Sequence, residues 1–445
     1  MLLRFAAENI MSFKDTVEFN TFPSSKTHSH EWHKIPCGHT TVLRMSAIYG
    51  ANGAGKSNLL KCISLLKDMV AAEKLSDLSL TDDLYFKLDN LGKTNPSELA
   101  IEFYAYEKIF YYHLTFNRQK IIAEELILSQ KSKDITIFTR DDNRVDISAE
   151  FLSSISKAES RDVFLDGINR IIRPDMTALS FLGNYYPNEL PVISEAYDWI
   201  MTLQVVLPSM KVHELPHILD VNPEFAELVN DIIPELKTGI TRLDVKTEIL
   251  NEEKINPSSI IHKVLQDAKK KPNIPFVVPD IRDNKISNIV VKDNVIYLKT
   301  LAVFHNDSLG NDIEMEIDQE SDGTRRLIEY MPLLYSVLKL NRVFIVDEIE
   351  RSIHPIMIKS LMSKISESKD ARGQIIFTTH ESCLLDQRIF RPDEIWFAQK
   401  DVNQSTQLYP LSDYNIHKTA NIENGYLNGR YGGIPFLSNL SDLKW

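Results

Sequence analysis

Hydrophobic and polar positions near the amino terminus predict β-strands. Apolar and polar residues alternate through "LLRFAAENI" and "DTVEFNTF", as they do in strands with one buried face. The segment "ELAIEFYAYEKIFYYHLTFNRQKIIAEELILS" predicts three further strands, because it is rich in aromatic and β-branched residues and contains neither proline nor glycine. We therefore expect a mixed sheet in this part of the chain.

A more continuous apolar segment, "TTVLRMSAIYG", predicts a central strand that ends at Gly50. Shortly after it, "SNLLKCISLLKDMVAAE" has apolar residues at helical spacing. Between the two, Gly50-x-x-x-x-Gly55-Lys56-Ser57 fits the phosphate-binding loop pattern. A strand, a glycine-rich loop and a helix in this order are the context that the motif requires.

The pattern changes between residues 145 and 290. Helical periodicity appears in "FLSSISKAESRDVFLDGINRII" and "PVISEAYDWIMTLQVV", and prolines interrupt it repeatedly. Because proline ends or breaks helices, this composition excludes a long coiled coil and predicts a compact, mainly helical insertion. Near its end, "QDAKKKPNIPFVVPD" predicts a surface loop whose lysines form either a solvated turn or a small contact for DNA or phosphate.

Strands and helices alternate in the last third of the chain. "NVIYLKTLAVFHN", "RVFIVDE" and "GQIIFTTH" predict strands, "GTRRLIEYMPLLYSVLKL" and "MIKSLMSKISES" predict helices, and "DEIWFAQK" with "TQLYPLS" predicts a closing strand pair. This alternation indicates an α/β fold with a mixed, mostly parallel sheet. The predicted domains are a head formed by residues 1–144 and 291–445 and the insertion at residues 145–290.

The composition of the chain points to no special class of protein. The 445 residues are 43% hydrophobic and 25% charged, as in ordinary globular proteins, and the cysteines Cys37, Cys62 and Cys383 are too few and scattered for a disulfide framework. No apolar segment approaches the roughly 20 residues that span a bilayer, and the amino terminus is too polar for a signal peptide. We expect a cytoplasmic protein with no membrane partner. The net charge of −12 opposes non-specific binding of nucleic acid, although a local basic patch for DNA stays open.

The phosphate-binding loop predicts a nucleotide site. Backbone N–H groups around Gly53, Gly55 and Lys56 can converge on an anion where bulky side chains are absent, and the next helix adds its partial positive charge. Lys56 is expected to reach the β- and γ-phosphates, and Ser57 to bind Mg²⁺. The predicted cofactors are therefore ATP and Mg²⁺. The expected contact residues of the loop are Asn52, Gly53, Ala54, Gly55, Lys56, Ser57 and Asn58.

Two carboxylates follow the apolar strand in "RVFIVDEIERSIHP". A buried strand that ends in acids places them beside the ligand site of an open sheet. Asp347 is expected to bind Mg²⁺, and Glu348 to act as the general base that activates water. The alternative, a solvated acidic turn, is disfavoured by the phosphate-binding loop elsewhere in the chain.

Two further segments fit the same site. In "GQIIFTTHES", His380 can hydrogen-bond the γ-phosphate or the attacking water, the alternative being a histidine satisfied at a strand end. In "ESDGTRRL", Ser321, Gly323 and Thr324 stand at the start of a predicted helix and form a second anion site. Taken alone, this second segment is only an N-cap signature.

These motifs, in this order, resemble the head domain of ABC-type P-loop ATPases. That group includes the structural-maintenance-of-chromosomes (SMC) proteins, related DNA-repair ATPases and the OLD (overcoming lysogenization defect) family. The resemblance covers roughly residues 1–140 and 290–445, and within the group the chain is similar to short OLD-like bacterial ATPases. It rests on "LLRFAAENIMSFKD", "IYGANGAGKSNLL", "DEIERSIHP", "FTTH" and the tail "YLNGRYGGIP". Such ATPases include AriA and PtuA of the PARIS and Septu anti-phage systems.

The resemblance implies a mechanism in which two heads sandwich two ATP molecules. Ser321 and Gly323 would then act on the γ-phosphate bound by the partner head, and residues 352–355 would cross the seam between heads. His380 matches the switch histidine of the family. The family also has a glutamine that senses Mg²⁺, for which Gln130 is one candidate.

Two departures from the family shape the expected function. Only about 55 residues follow the segment around Asp386, without the acidic cluster of the OLD nuclease domain, and the insertion cannot form the long SMC coiled coil. We therefore expect an ATP-hydrolysing sensor or scaffold subunit of an anti-phage defence complex. It would form a homodimer or higher homo-oligomer and control a separately encoded effector, a nuclease, in response to a phage trigger protein.

Two alternatives to that function stay open. The first is an SMC-like ATPase that binds DNA in repair or maintenance. The second is a small-molecule nucleotide kinase, which needs neither the Ser-x-Gly-Thr segment nor Glu348. A separate cluster, "THSHEWHKIPCGH", is either a zinc site or an exposed polar loop, and its irregular spacing favours the loop.

Overall fold

The computed structural model describes residues 1–78, 84–152, 158–208, 215–252, 255–256, 259–279, 286–417 and 420–434. The α/β fold class predicted from the sequence is confirmed. Packing divides the chain into two units, the first with Met1–Pro208, Val337–Ile349 and Leu361–Trp445 and the second with Ser209–Ser336 and Glu350–Ser360. The predicted domain boundaries at residues 144 and 290 stay a prediction.

The strands are β1 (Leu2–Glu8), β2 (Val17–Asn20), β3 (Lys34–Cys37), β4 (Thr40–Leu43), β5 (Met45–Gly50), β6 (Ser97–Ala105), β7 (Lys108–Phe116), β8 (Ile121–Ser129), β9 (Ile135–Asp141), β10 (Arg144–Ile147), β11 (Gln204–Val206), β12 (Ile240–Ile249), β13 (Phe276–Pro279), β14 (Ile286–Lys292), β15 (Val295–Asn306), β16 (Asp312–Met315), β17 (Val343–Val346), β18 (Gln374–Thr378), β19 (Ile395–Lys400) and β20 (Thr406–Pro410). The helices are α1 (Lys56–Ala71), α2 (Ala158–Ile171), α3 (Ala178–Tyr185), α4 (Pro191–Thr202), α5 (Leu215–Val221), α6 (Pro223–Glu235), α7 (Ile260–Lys270), α8 (Asp322–Glu329), α9 (Met331–Lys339), α10 (Pro355–Glu367) and α11 (Ile422–Leu427).

A six-stranded sheet in the first unit carries the nucleotide motifs. Its order is β11-β17-β18-β5-β19-β20, and every neighbouring pair is parallel except β19 and β20. All residues of β5, β17 and β18 are buried, as expected for strands covered on both faces. The continuous apolar character of these strands therefore explains their central position.

The first unit also contains a seven-stranded antiparallel sheet, in the order β10-β9-β8-β7-β6-β1-β2. The strands β3 and β4 form a separate hairpin. The strands β2 and β10 alternate buried and exposed residues, which accounts for the alternating pattern of their sequences. Helix α1 buries Leu59, Ile63, Leu66 and Val70, spaced so that they share one face, in the main hydrophobic cluster of this unit.

The second unit contains its own antiparallel sheet. Strands β12, β15, β14 and β13 are neighbours in that order, and β16 pairs with β15. Helix α7 packs on it through Leu265 and Ala268, which share a buried cluster with Val278 and Ile289. The insertion at residues 145–290, which was predicted to be mainly helical, thus contains strands as well as the helices α2 to α7.

Five local predictions are wrong. The amino-terminal strands do not form one mixed sheet, because β1, β2 and β6 to β8 lie in the antiparallel sheet and β5 lies in the other. The segment "GTRRLIEYMPLLYSVLKL" forms two helices, α8 and α9, rather than one. The segment "TTVLRMSAIYG" forms two strands, β4 and β5, rather than one. Helix α4 ends at Thr202, and the apolar residues after it form β11, which pairs in parallel with β17. The predicted lysine-rich loop instead holds the end of α7 and the strand β13. For β11, pairing with the distant strand β17, which no local pattern contains, decides the conformation. The strand β13 pairs with β14, the next strand along the chain. Among the described residues, no helix is long and apolar enough to cross a bilayer.

Candidate functional site

The phosphate-binding loop joins the buried end of β5 to the first turn of α1. Gly53 and Gly55 have φ angles of +78° and +104°, in the left-handed region that favours glycine. A Cβ atom at Gly55 would lie 2.1 Å from Thr406 Oγ1 and 2.8 Å from Ser12 Oγ. No larger residue fits there, and the loop backbone is held close to β20. Along the loop Asn52 and Gly53 are exposed, Ala54 and Lys56 are buried, and the remaining positions are half-buried.

Lys56 lies inside this loop, with only 5% of its surface exposed. Its Nζ atom donates hydrogen bonds to the carbonyl oxygens of Gly50, at 2.7 Å, and Ala51, at 3.3 Å. The same atom lies 3.1 Å from His380 Nε2. An ammonium group at the amino end of a helix is well placed to bind the oxygens of an anion.

Asp347 follows β17 and is 1% exposed. Its Oδ1 atom accepts hydrogen bonds from Ser57 Oγ, at 3.0 Å, and from Thr378 Oγ1, at 2.5 Å. A carboxylate and a hydroxyl at this separation are oxygen ligands of the kind that Mg²⁺ prefers. The donor set therefore fits the predicted Mg²⁺ site.

Glu348 is half-buried and has a φ angle of +50°, which is uncommon for a residue with a side chain. Its backbone N–H donates to Thr378 Oγ1 at 2.8 Å. Thr378 thus contacts both acidic residues, a role that sequence reasoning missed. The only available signal was its position two residues before His380 in "FTTH". Strain in a backbone held by such contacts is typical of functional sites.

His380 is exposed and follows the end of β18. The backbone N–H of Thr379 donates to the carbonyl of Ile48 at 3.1 Å, which ties this end of β18 to β5. Because β17, β18 and β5 are parallel neighbours, their carboxyl ends meet at one edge of the sheet. This edge brings together Lys56, Ser57, Asp347, Glu348 and His380.

A cavity of about 500 Å³ lies beside the first turns of α1. Its lining includes Asn58, Phe86 and the three lysines Lys61, Lys87 and Lys400. Burial lowers the pKa of Lys400, although the nearby Asp401 acts to raise it. The cavity therefore combines an aromatic ring with several cations next to the phosphate-binding loop.

The second predicted anion site lies in the second unit. Ser321 is the N-cap of α8, and its Oγ accepts a hydrogen bond from the backbone N–H of Thr324 at 3.1 Å. A Cβ atom at Gly323 would lie 2.5 Å from the carbonyl oxygen of Ser352. The Ser-x-Gly-Thr segment thus packs against Ser352, the first residue of the other segment that the resemblance assigns to the seam between heads.

The histidine-rich segment is not simply an exposed loop. His33 is fully buried, and its Nδ1 lies 2.8 Å from Glu394 Oε1 while its Nε2 lies 3.0 Å from the carbonyl oxygen of Ser366. In the described part of the chain, no group of three or more histidine, cysteine or acidic side chains is arranged to hold a metal ion. Gln130 lies exposed just after β8.

Comparison with protein families matches residues 45–386 to the family described as "AAA domain, putative AbiEii toxin, Type IV TA system". The matched range includes every residue proposed above for the nucleotide site. No curated protein matches the chain.

Several solved structures are similar to the chain. An SMC head bound to the C-winged helix domain of ScpA is 13% identical, with 92% of this chain and 97% of that chain covered and a TM-score of 0.45. An SMC head domain from Thermotoga maritima is 12% identical, with 93% and 99% covered and a TM-score of 0.40. An Smc head with an extended coiled coil, bound to the C-terminal domain of ScpA derived from Pyrococcus furiosus, is 12% identical, with 92% and 96% covered and a TM-score of 0.36.

Proposed function

This chain belongs to the AAA-domain family and carries a P-loop ATPase domain, and on that premise we propose that it binds ATP with Mg²⁺ and hydrolyses ATP to ADP and phosphate. The observation that carries the proposal is the convergence of three strand ends. Lys56 Nζ lies 3.1 Å from His380 Nε2, and Ser57 Oγ lies 3.0 Å from Asp347 Oδ1. A cation, a pair of Mg²⁺ ligands and a candidate base meet at one edge of a buried parallel sheet.

Each residue then has a definite task. Residues 52–58 hold the phosphates through backbone N–H groups, and Lys56 neutralises the charge of the β- and γ-phosphates. Ser57 and Asp347 hold Mg²⁺, which when bound offsets the negative charge that develops on the phosphates. Glu348 accepts a proton from the attacking water, and His380 hydrogen-bonds the γ-phosphate or that water.

The cavity beside α1 is suited to the nucleoside part of ATP. Asn58 offers hydrogen bonds to the base or sugar, and Phe86, which is only 2% exposed, contributes an apolar wall beneath the cavity. The lysines of the lining are compatible with the phosphates nearby. Its volume of about 500 Å³ lies within the usual range for small-molecule sites.

A second copy of the chain completes the reaction site in this proposal. Ser321 and Gly323 contact the γ-phosphate bound by the partner head, as the resemblance to ABC-type ATPases implies, and Thr324 belongs to the same anion-site segment. Two local features support this role. Ser321 is exposed at the start of α8, and Gly323 allows the close contact with Ser352.

Mixing two inactive variants tests this arrangement between subunits. In a mixture of Lys56→Ala and Gly323→Val chains, each mixed dimer has one composite site that carries both lesions and one that carries neither. Because random pairing makes half of the dimers mixed, we expect about one quarter of wild-type hydrolysis, against almost none for either variant alone. Phosphate release at constant total protein measures this effect.

The control mixture contains wild-type and Lys56→Ala chains, whose mixed dimers also have one intact site. Wild-type homodimers alone supply about one quarter of wild-type activity in this control, so a total of about one half shows that one site works without the other. If the control mixture reaches about one half and both variants associate, but their own mixture stays inactive, the assignment of Gly323 to the partner's site is wrong.

For the biological role, we extend the proposal to an ATP-driven sensor or scaffold of a cytoplasmic anti-phage complex. The family description, which names a toxin of a type IV toxin–antitoxin system, supports a role of this general kind. In this proposal a homo-oligomer captures a separately encoded nuclease through the insertion at residues 145–290 and releases it when a phage component is sensed. An SMC-like ATPase that acts on DNA is the second candidate.

Affinity capture from the native host tests the role. We expect the full chain to retain a nuclease in the presence of ATP and to lose it without ATP, because a nucleotide acts only through its different affinities for two states. Ile249→Asp, at a residue that is 71% exposed in the insertion, should reduce capture at least about tenfold if it removes a central contact.

The matched control is Val402→Asp, at a residue that is 95% exposed outside the insertion. It should leave capture unchanged. Recovery of DNA instead of a nuclease supports the second candidate. Capture by Ile249→Asp equal to that by wild type contradicts a central contact at this residue, and degradation of nucleic acid by the isolated chain contradicts the scaffold role.

A further inference from the structure

Residues 420–434, called here the tail segment, include most of the distinctive sequence "YLNGRYGGIP" and take no part in the mechanism above. They form the short helix α11 and a glycine-rich turn. We propose that the tail segment positions two parts of the ATPase site, the entrance of the phosphate-binding loop and the turn that carries His380. This inference rests on the proposed ATPase function and assigns positioning residues to it.

The first contact of the tail segment is with the phosphate-binding loop. Gly433 is buried and has a φ angle of +68°. A Cβ atom there would lie 3.3 Å from the ring of Phe397 and 3.7 Å from Gly50 Cα. The carbonyl of Gly50 is the group that accepts the 2.7 Å hydrogen bond from Lys56 Nζ. The tail segment therefore packs against the residue that orients the lysine of the loop.

The second contact is with the turn after His380. Glu423, in the first turn of α11, accepts a hydrogen bond from Ser382 Oγ at 2.8 Å. Ser382 lies two residues after His380, and both it and Glu423 are half-buried. The helix thus holds the segment that determines where the imidazole of His380 can point.

Tyr426 joins the two contacts. Its hydroxyl donates to the carbonyl of Gly433 at 3.2 Å, and its ring centroid lies 5.8 Å from that of Tyr49, the residue before Gly50. The hydroxyl of Tyr49 in turn donates to the carbonyl of Glu381 at 3.4 Å. One aromatic residue of the tail segment therefore connects the end of β5 with the turn after β18.

The glycines of the tail segment permit this close packing. A Cβ atom at Gly425 would lie 2.6 Å from the ring of Tyr431, so that ring can rest directly on α11. At Gly432, where φ is +70°, a Cβ atom would lie 2.5 Å from both Gln399 Oε1 and Tyr409 Oη. The glycine and tyrosine pattern of the sequence is thus explained by contact with β19 and β20.

The two contacts should have different kinetic consequences. Gly433→Ala places a Cβ atom 3.3 Å from the ring of Phe397 and strains a backbone whose φ angle is +68°, so the turn that packs on Gly50 has to shift. We therefore expect ATP affinity to fall about fivefold through displacement of the loop that holds Lys56. Ser382→Ala and Glu423→Ala release the turn after His380. For these two variants we expect kcat to fall about fivefold while ATP affinity changes less than twofold. Glu423→Gln keeps an acceptor for Ser382 and should restore kcat.

The experiment compares kcat, equilibrium ATP affinity and thermal melting for these four variants, wild type and Gly310→Ala. Gly310 is the matched control, because its φ angle is +85° but a Cβ atom there would meet nothing within 4 Å. It should lose some stability through backbone strain and keep wild-type kinetics. We expect Gly433→Ala to lower mainly ATP affinity, and Ser382→Ala and Glu423→Ala to lower mainly kcat. Glu423→Gln should keep the kcat of wild type.

Two outcomes would contradict the positioning role of the tail segment and leave the proposed ATPase function unaffected. One is wild-type kinetics in the tail variants. The other is a loss of kcat and affinity that is uniform across all of them and follows the melting temperature, as a purely structural role requires. If wild type itself neither binds nor hydrolyses ATP, the proposed function is wrong and this inference falls with it.

Discussion

Glu348→Gln is expected to reduce ATP hydrolysis by about two to four orders of magnitude and to leave ATP binding intact. Glutamine has the shape of glutamate but cannot accept a proton from the attacking water. The substitution also leaves the backbone N–H of residue 348 free to donate to Thr378 Oγ1, and it leaves Asp347, the proposed Mg²⁺ ligand, unchanged. Phosphate release and equilibrium binding of ATP, measured on the same preparation, separate the two effects.

The same variant should accumulate as paired heads in the presence of ATP. If ATP favours the paired state, a chain that binds but does not hydrolyse ATP remains in that state. Size-exclusion chromatography with and without ATP measures the shift. The control is Glu367→Gln, at an exposed residue near the end of α10, which should behave as wild type. Wild-type turnover in Glu348→Gln would mean that a group other than Glu348 acts as the general base. His380→Ala then tests whether His380 is that group.

The central elements of the fold were predictable because their sequences carry strong local signals. The strands β5, β17 and β18 are continuous apolar segments, and a strand buried on both faces requires that composition. Helix α1 has an apolar face at helical spacing and a glycine-rich loop before it. In each case the local pattern and the tertiary environment favour the same conformation, so the pattern alone was sufficient.

Other elements depend on partners far away in the chain. The three residues of β11 continue the apolar pattern of α4 and become a strand only because β17 offers an unpaired edge. The strand β13 directly follows the segment rich in lysine and proline, and it pairs with β14, the next strand along the chain. Short strands of this kind have weak local preferences, and hydrogen bonds to a neighbouring strand decide their conformation.

The candidate site also has residues that the sequence predicts and residues that only the structure reveals. The residues expected to touch ATP or Mg²⁺ were predictable because they belong to motifs, in which several functional residues lie close together in the sequence. Thr378 and the tail segment contact the site through hydrogen bonds and close packing, which no spacing rule reports. The contact of Thr406 with Gly55 joins residues about 350 positions apart, and only the folded chain brings them together.

Lys56→Ala is expected to weaken ATP binding at least tenfold, which corresponds to about 1.4 kcal/mol. The substitution removes the buried ammonium that lies at the amino end of α1, 2.7 Å from the Gly50 carbonyl and 3.1 Å from His380 Nε2. Lys74→Ala, at an exposed lysine just after α1, removes the same charge away from the site and should bind ATP as wild type does. Isothermal titration with ATP and Mg²⁺ measures the difference, and thermal melting shows that both variants are folded. Because the backbone N–H groups of the loop remain in Lys56→Ala, a residual affinity is expected. Unchanged affinity in the folded variant would mean that ATP binds elsewhere, and the roles proposed for Asp347 and Glu348 would then lose their basis.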